Sequence, residues 1–278
     1  MMKKIIVPVD FSRHSEFALE TAAQLAKKNN AEILAVHMLE MTSMVLNASE
    51  GEQQAKAVFF LKLAEKRFED FLDKDYLEGI LVTPVVKHFK VFSEISEVGK
   101  EHGGDLIVMG SHGTSGMKEV FVGSNAEKVV RNSDIPVLVV KHNPILTEFE
   151  NVVFASDFSK DSVKSYTKAR DLFEGLGAKM HLLHVNLPTQ SFRSSVEIEQ
   201  KVADFLKIAD GNLNNMDKVN FVSDYNVESG ITNFSNKIGA DLIAVTTHGR
   251  KGIAHFFEGS ISEDIANHSA LPVMTFKI

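Results

Sequence analysis

Apolar residues along the chain fall into two recurring patterns. Short continuous runs, such as Leu106–Met109 and Val137–Val140, contain no polar alternation, which is typical of parallel strands buried on both faces. Longer segments place apolar residues at helical spacing, as over Phe17–Leu25. Because the two patterns alternate, they predict an α/β fold in which a parallel sheet carries helices on both faces, joined by right-handed crossovers.

The first half contains five predicted strands. Besides the two runs above, they cover Lys3–Val9, Glu32–Met38 and Leu81–Phe89. One helix is predicted to follow Ser12, whose hydroxyl can cap it, and two more are predicted over Gln53–Lys74 and Ser93–Glu101. The helix over Gln53–Lys74 is expected to bury one side, which carries Phe60, Leu61, Ala64, Phe68 and Phe71.

The chain also repeats itself, which indicates two copies of one unit. Ile5–Ser12 matches Val152–Ser159, which lies 147 residues later, whereas Gly123-Ser124 matches Gly259-Ser260 only 136 residues later. The first copy therefore carries an insertion, most of which we place in Glu40–Glu52. A boundary around Pro144 predicts two domains, residues 1–143 and 149–278.

Composition narrows the class of protein. The length of 278 residues suits two ordinary domains. There is no cysteine, which excludes disulfides and cysteine-ligated metals, and the net charge of −7 argues against broad nucleic-acid binding. No apolar run is long enough to span a membrane, and the N-terminal run, which ends at Pro8 and Asp10, is too short for a signal peptide. These features favour a cytoplasmic protein.

Glycines after the fourth predicted strand carry the candidate chemistry. Gly110, Gly113 and Gly123 follow the spacing Gly-x2-Gly-x9-Gly, and Ser124 comes next. Glycine lets the backbone approach a phosphate closely or adopt positive φ, and the free N–H groups at a helix N-terminus bind anions. Ligands of open α/β sheets bind beyond the carboxyl ends of the strands, where Asp10 should meet this loop. The pattern predicts a phosphate site.

Structural roles compete with ligand binding at several of these positions. Ser124 and Glu127 form the S-x-x-E pattern of a capping box, and Asp10 could simply cap the next helix. His112 could contact phosphate or only hold the loop, and we interpret His37 as a structural histidine. No P-loop, G-x-G-x-x-G or G-x-S-x-G motif and no paired acid and base is present, so no catalytic residue is predicted.

The glycine spacing, together with V-P-V-D at Val7–Asp10, resembles the nucleotide-binding signature of the universal stress protein family. The resemblance covers nearly the whole chain. It implies two tandem Rossmann-like domains of the adenine nucleotide alpha hydrolase type, each with a five-stranded parallel sheet. It also implies a stress-response protein that binds ATP, with Mg²⁺ or Mn²⁺ on the phosphates, as a sensor or regulator. The implied ligand-binding residues are Val9, Asp10, Val36, Gly110, His112, Gly113, Gly123, Ser124 and Asn125.

The second copy departs from this signature. Thr246 stands where the first copy has Gly110, and Ala155-Ser156 replace Pro8-Val9. A β-branched residue would crowd a ligand and resist positive φ, so we expect a weakened or lost nucleotide site there. The second half would then be mainly a structural partner of the first.

The resemblance further implies how the molecule assembles. The two halves are expected to pair with each other through Val137–Val140 and Val273–Phe276, and a further homodimer and an unidentified protein partner remain open, whereas nucleic acid and membrane are not expected as partners. An alternative interpretation is a non-nucleotide member that acts as a dimerising scaffold or binds another small ligand. Slow ATP hydrolysis is a third interpretation, and the lack of a P-loop lysine and of a clear general base disfavours it.

Overall fold

The computed structural model describes residues 2–39, 50–88, 94–111, 124–141, 143–144, 148–188, 192–247 and 271–278. These residues form two compact units, the first ending at residue 144 and the second beginning at residue 148. Among the described residues, no helix is both long and apolar enough to cross a bilayer.

The first unit is a five-stranded parallel sheet with helices. Its strands are β1 (Lys4–Pro8), β2 (Glu32–Leu39), β3 (Val82–His88), β4 (Leu106–Gly110) and β5 (Val137–Val140). Its described helices are α1 (Arg13–Asn29), α2 (Glu50–Leu72), α3 (Ile95–Glu101) and α4 (Ser124–Asn132). All strands run parallel, in the order β3-β2-β1-β4-β5.

The second unit repeats this arrangement. Its strands are β6 (Asn151–Ala155), β7 (Lys179–Asn186), β8 (Val219–Ser223), β9 (Leu242–Thr247) and β10 (Val273–Lys277). Its described helices are α5 (Val163–Leu176), α6 (Ser195–Asp210) and α7 (Val227–Ile238). The parallel order is β10-β9-β6-β7-β8. The predicted fold of two tandem Rossmann-like domains, each with a five-stranded parallel sheet, is confirmed.

Helices cover both faces of the second sheet, as residues of alternating direction on β6 show. Phe154 is fully buried and its ring lies 5.9 Å from that of Tyr166 on α5. Val153, its neighbour, belongs to a buried cluster that includes Ile231 and Phe234 of α7. Because successive strand residues point to opposite faces, α5 and α7 lie on opposite sides of the sheet.

Helix α2 is only partly covered, so the predicted buried side is partly wrong. Ala64, Phe68 and Phe71 near its end are 2, 3 and 9% exposed, as predicted. Phe60 is 40% exposed and Phe59 beside it 63% exposed. The apolar pattern identified a helix, but it could not tell how far along α2 the neighbouring residues extend.

Candidate functional site

The site predicted from the sequence lies where the strand order of the first unit reverses. Strands β2 and β3 lie to one side of β1, and β4 and β5 lie to the other. Ile5 pairs with Leu106 and Ile6 with Ile107, so β1 and β4 are direct neighbours. Parallel α/β sheets bind ligands at such a switch point, beyond the carboxyl ends of the strands. Asp10 follows β1 and Gly110 ends β4, so both lie at this edge.

Val9 and Val36 meet beside the switch point. The Val9 N–H donates to the Val36 carbonyl at 2.8 Å, and both side chains are fully buried. The Val9 carbonyl accepts from Nδ1 of His37 at 2.7 Å. Both valines therefore belong to the buried core beneath this edge of the sheet, and a ligand role for them stays a prediction.

Asp10 forms a tight turn with the two residues that follow it. Its Oδ1 accepts from the Ser12 N–H at 3.0 Å, while the Ser12 hydroxyl accepts from the Ser15 N–H at 3.3 Å and caps α1. Phe11, between them, has φ of +63°, which is unfavourable for a residue with a side chain. The carboxylate of Asp10 thus has a structural role at the site, whereas the cap of α1 is Ser12.

The ring of Phe11 holds this turn in place from below. It lies 4.7 Å from the imidazole of His37, 5.1 Å from Phe68 and 5.6 Å from Phe71. Burial lowers the pKa of His37 below its usual value of 6.5, although its bond to the Val9 carbonyl acts in the opposite direction. His37 is therefore a neutral structural residue at pH 7, in agreement with its interpretation from the sequence.

Gly110 is needed for packing against helix α1. A Cβ at this position would lie 2.7 Å from the His14 carbonyl oxygen and 2.8 Å from the His14 carbonyl carbon and Cβ. The φ of Gly110 is not in the positive region, so the suggestion that this glycine supplies a left-handed conformation is wrong. Glycine is required here because the backbone of α1 passes directly over the end of β4.

The remaining predicted residues lie at or before helix α4. Ser124 begins α4, and Asn125 is half-buried in its first turn. His112, Gly113 and Gly123 lie outside the described residues. Glu127 forms an ion pair with Arg131 one turn later, so its carboxylate is used within α4. No cluster of three metal-binding side chains occurs in the described parts of the chain.

The second unit preserves the turn and loses the glycine. Oδ1 of Asp157 accepts from the Ser159 N–H at 3.0 Å, and Phe158 has φ of +51°. The ring of Phe158 again packs near a histidine, 6.0 Å from His184. Thr246 replaces Gly110, and a 3-10 turn, Lys160–Ser162, stands where the first unit begins its α-helix directly. The second unit therefore differs from the first both at the end of its fourth strand and at the start of its first helix.

Sequence reasoning missed one pair of anchoring carboxylates. Oδ2 of Asp105 accepts from the N–H groups of Lys3 and Lys4 at 2.7 and 3.0 Å. Oδ2 of Asp241 accepts from those of Glu150 and Asn151 at 2.9 and 2.8 Å. Each aspartate therefore fixes the start of the first strand beside the fourth. The repeat held the signal, because Asp105 and Asp241 occupy the same place in both copies.

Comparison with known proteins supports the duplication of one domain. The family model described as the universal stress protein family matches residues 1–141 and again residues 148–277. Two universal stress proteins of Methanocaldococcus jannaschii, MJ0531 and MJ0577, are 32 and 31% identical to this chain over 148 and 158 residues. Each alignment covers 51% of this chain and, respectively, 83 and 96% of the relative. Each relative therefore corresponds to about one copy of the repeat.

A solved structure extends over both copies. The crystal structure of a universal stress protein from Archaeoglobus fulgidus matches with a TM-score of 0.62 at 22% identity, and the match covers 99% of this chain and 96% of that one. At this identity the likeness shows the fold. Together with the double match of the family model, it shows that the chain belongs to the universal stress protein family and carries the family's domain twice.

Proposed function

We propose that the first unit binds ATP at the carboxyl edge of its sheet and that the protein is a stress-response regulator or sensor without efficient catalysis. The observation that carries the proposal is that Asp10 follows β1 and Gly110 ends the neighbouring strand β4, at the switch point of the first sheet. The glycine spacing starts at Gly110, so the predicted phosphate loop begins where α/β folds bind nucleotides. Membership of the universal stress protein family supports the stress role.

Nine residues would form this site. The adenine and ribose would lie near Val9, Asp10 and Val36, and the ribose and phosphates near Gly110, His112, Gly113, Gly123, Ser124 and Asn125. The start of α4 fits a phosphate, because the first N–H groups of a helix have no partner within it and carry the positive end of the helix dipole. A divalent cation would be held chiefly by the phosphates, since the described residues offer no metal-binding cluster.

The repeat provides a matched pair of variants that separates ligand binding from turn formation. Asp10 and Asp157 make the same 3.0 Å bond to a serine N–H, and Asp157 also accepts from the Ser162 hydroxyl at 3.4 Å, so both Asp10→Ala and Asp157→Ala should lose stability through the same turn. Only Asp10 stands beside an intact glycine spacing. We expect Asp10→Ala to weaken ATP binding at least about tenfold and Asp157→Ala to leave it unchanged, as measured by calorimetry on nucleotide-free protein with Mg²⁺.

A thermal-shift experiment tests whether the site exists at all. ATP at about 100 times its Kd should stabilise the wild-type protein by roughly 2.7 kcal/mol, and Gly113→Val/Gly123→Val should abolish that gain. Absence of a shift at millimolar ATP would refute the proposal. Multiple-turnover phosphate release that Gly123→Val abolishes would instead make the protein an enzyme.

The scaffold interpretation has an observation of its own in favour. Gly110 is required by the backbone of His14, and Asp10 is used by Ser12, so both residues have reasons to be present without a nucleotide. Under this interpretation the two variants of the matched pair would behave alike toward ATP. The protein would then act through pairing of its two halves, a homodimer or a protein partner.

A further inference from the structure

The second unit contains a small cavity of about 90 Å³. It lies between α5, the start of β7 and the turn before β8, and Lys179 and Lys218 belong to its wall. Because Lys179 is the first residue of β7, the cavity lies at the amino edge of the sheet. The proposed nucleotide site of the first unit lies at a carboxyl edge, so the cavity is not the second unit's counterpart of that site.

The inner wall of the cavity is a buried polar network around Asp210. Its carboxylate accepts from the Tyr166 hydroxyl at 2.8 Å, from Nη1 of Arg170 at 2.6 Å and from the Asn215 amide at 2.7 Å. The Asp210 side chain is only 4% exposed, and Tyr166 is fully buried. The three donors are therefore held in fixed positions before any ligand arrives.

Spare donors remain on the cavity wall. Arg170 uses Nε and Nη2 on Asp171 and Nη1 on Asp210, whereas a guanidinium has five N–H groups. Two of its N–H groups thus have no partner in the described parts of the chain. The ammonium groups of Lys179 and Lys218 likewise form no ion pair there. Glu174 is on the wall as well and Asp210 lies behind Arg170, so the three cations exceed the two carboxylates by one charge.

The internal repeat shows that this arrangement belongs to the second copy. Counting 147 residues back, Tyr166 corresponds to Leu19, Arg170 to Ala23 and Lys179 to Glu32. Leu19 and Ala23 are buried apolar residues of α1, and Glu32 forms an ion pair with Lys4. The same scaffold thus forms an ordinary apolar core in the first unit. The fold did not require the polar network.

We propose that this cavity binds one small oxyanion, either inorganic phosphate or the phosphate or carboxylate group of a small molecule. A volume of about 90 Å³ is several times the roughly 10–15 Å³ that a cavity needs to hold one water, so it has room for a group of this size. Arg170 presents planar donors that match oxygen pairs, and Lys179 and Lys218 add point charges at the rim. Met180 and Leu182 complete the wall with apolar contact.

Amide NMR on the nucleotide-free, full-length protein tests this proposal directly. Inorganic phosphate and acetate are titrated separately at constant ionic strength and pH. Saturable shifts are expected at the amides of Lys179, Asn215 and Lys218, with the tighter-binding anion naming the preferred group. Shifts confined to residues near Gly110 would belong to the proposed nucleotide site and would overturn the present inference without affecting that site.

Variants of the two lysines test whether the anion binds in the cavity or is attracted only by surface charge. Lys179→Gln/Lys218→Gln should weaken the tighter anion about tenfold and leave the unfolding midpoint unchanged, because both lysines are exposed. The control Lys164→Gln/Lys237→Gln removes the same charge from exposed positions away from the cavity and should leave the affinity unchanged. Equal weakening in both double variants, or no saturable shift in the wild type, would refute the site.

Discussion

Gly110→Ala tests whether this glycine serves packing, ligand binding or both. The added Cβ would lie 2.7–2.8 Å from three atoms of His14, two of which are backbone atoms. Carbon contacts are favourable at about 3.5–4.0 Å, so either α1 or β4 must move by roughly 0.7 Å or more. A side chain can relieve such a contact by changing its rotamer, but backbone atoms cannot.

The magnitude follows from two opposing effects. Overpacking of this kind costs about 1–3 kcal/mol, whereas replacing glycine in a strand returns roughly 0.5–1 kcal/mol by restricting the unfolded chain. We expect a net loss of about 1–2 kcal/mol in the free energy of unfolding without ligand. At roughly 3 °C per kcal/mol for a unit of this size, Tm should fall by about 3–6 °C.

Urea unfolding followed by circular dichroism measures this loss, with Gly175→Ala as the control. Gly175 lies in α5 and an added Cβ would meet no atom within 4 Å, so that variant should gain about 0.5–1 kcal/mol. If Gly110→Ala is as stable as wild type without ligand, the packing argument is wrong. If it also fails to bind ATP, close approach of a phosphate would be the reason for the glycine.

Three further predictions concern stability. Asp210→Ala should cost about 3 kcal/mol or more in urea unfolding, because Tyr166 and Arg170 lose a buried carboxylate; a cost below 1 kcal/mol would contradict this. Asp241→Ala should cost about 1–2 kcal/mol, since two backbone N–H groups lose their acceptor, and hydrogen exchange at the start of β6 should rise; unchanged exchange there would count against it. Burial lowers the pKa of His37 below 6.5, so only the unfolded chain gains a proton as pH falls. The folded state keeps this contribution of His37 to its stability above pH 6.5 and loses it as the pH falls from there toward the pKa of His37 in the folded protein. His37→Phe should flatten the pH dependence of the urea midpoint between 7 and 5, and an unaltered slope would show that His37 is not responsible.

Much of the fold could be predicted because its signals are local. Continuous apolar runs marked the strands to within about two residues; β4, for example, was predicted from the run Leu106–Met109 and is observed as Leu106–Gly110. Such runs carry their own evidence, since a strand buried on both faces must be apolar along its length. The repeat then extended each assignment to the second copy. The exposure of Phe59 and Phe60 in the first half of α2 escaped prediction, because a helical pattern does not say which neighbours will cover it.

The candidate site was predictable only in part. The sequence placed Asp10 and Gly110 at one edge of the sheet, and the strand order supports this. It could not show that Gly110 lies against His14 or that Phe11 adopts positive φ above His37. Those contacts join residues far apart along the chain, so no local pattern reports them.

By itself, the sequence determined the alternation of strands and helices, the duplication and the glycine spacing. These properties depend on hydrophobic periodicity and on residue identity, which act over a few neighbouring positions. The tertiary structure decided which purpose each residue serves. In the structure, Asp105 and Asp241 accept hydrogen bonds from the backbone at the strand starts, and Asp210 is the acceptor of a buried network in the second copy. Such roles arise from packing between distant segments, because a polar group that is buried must find its partner wherever the fold brings one.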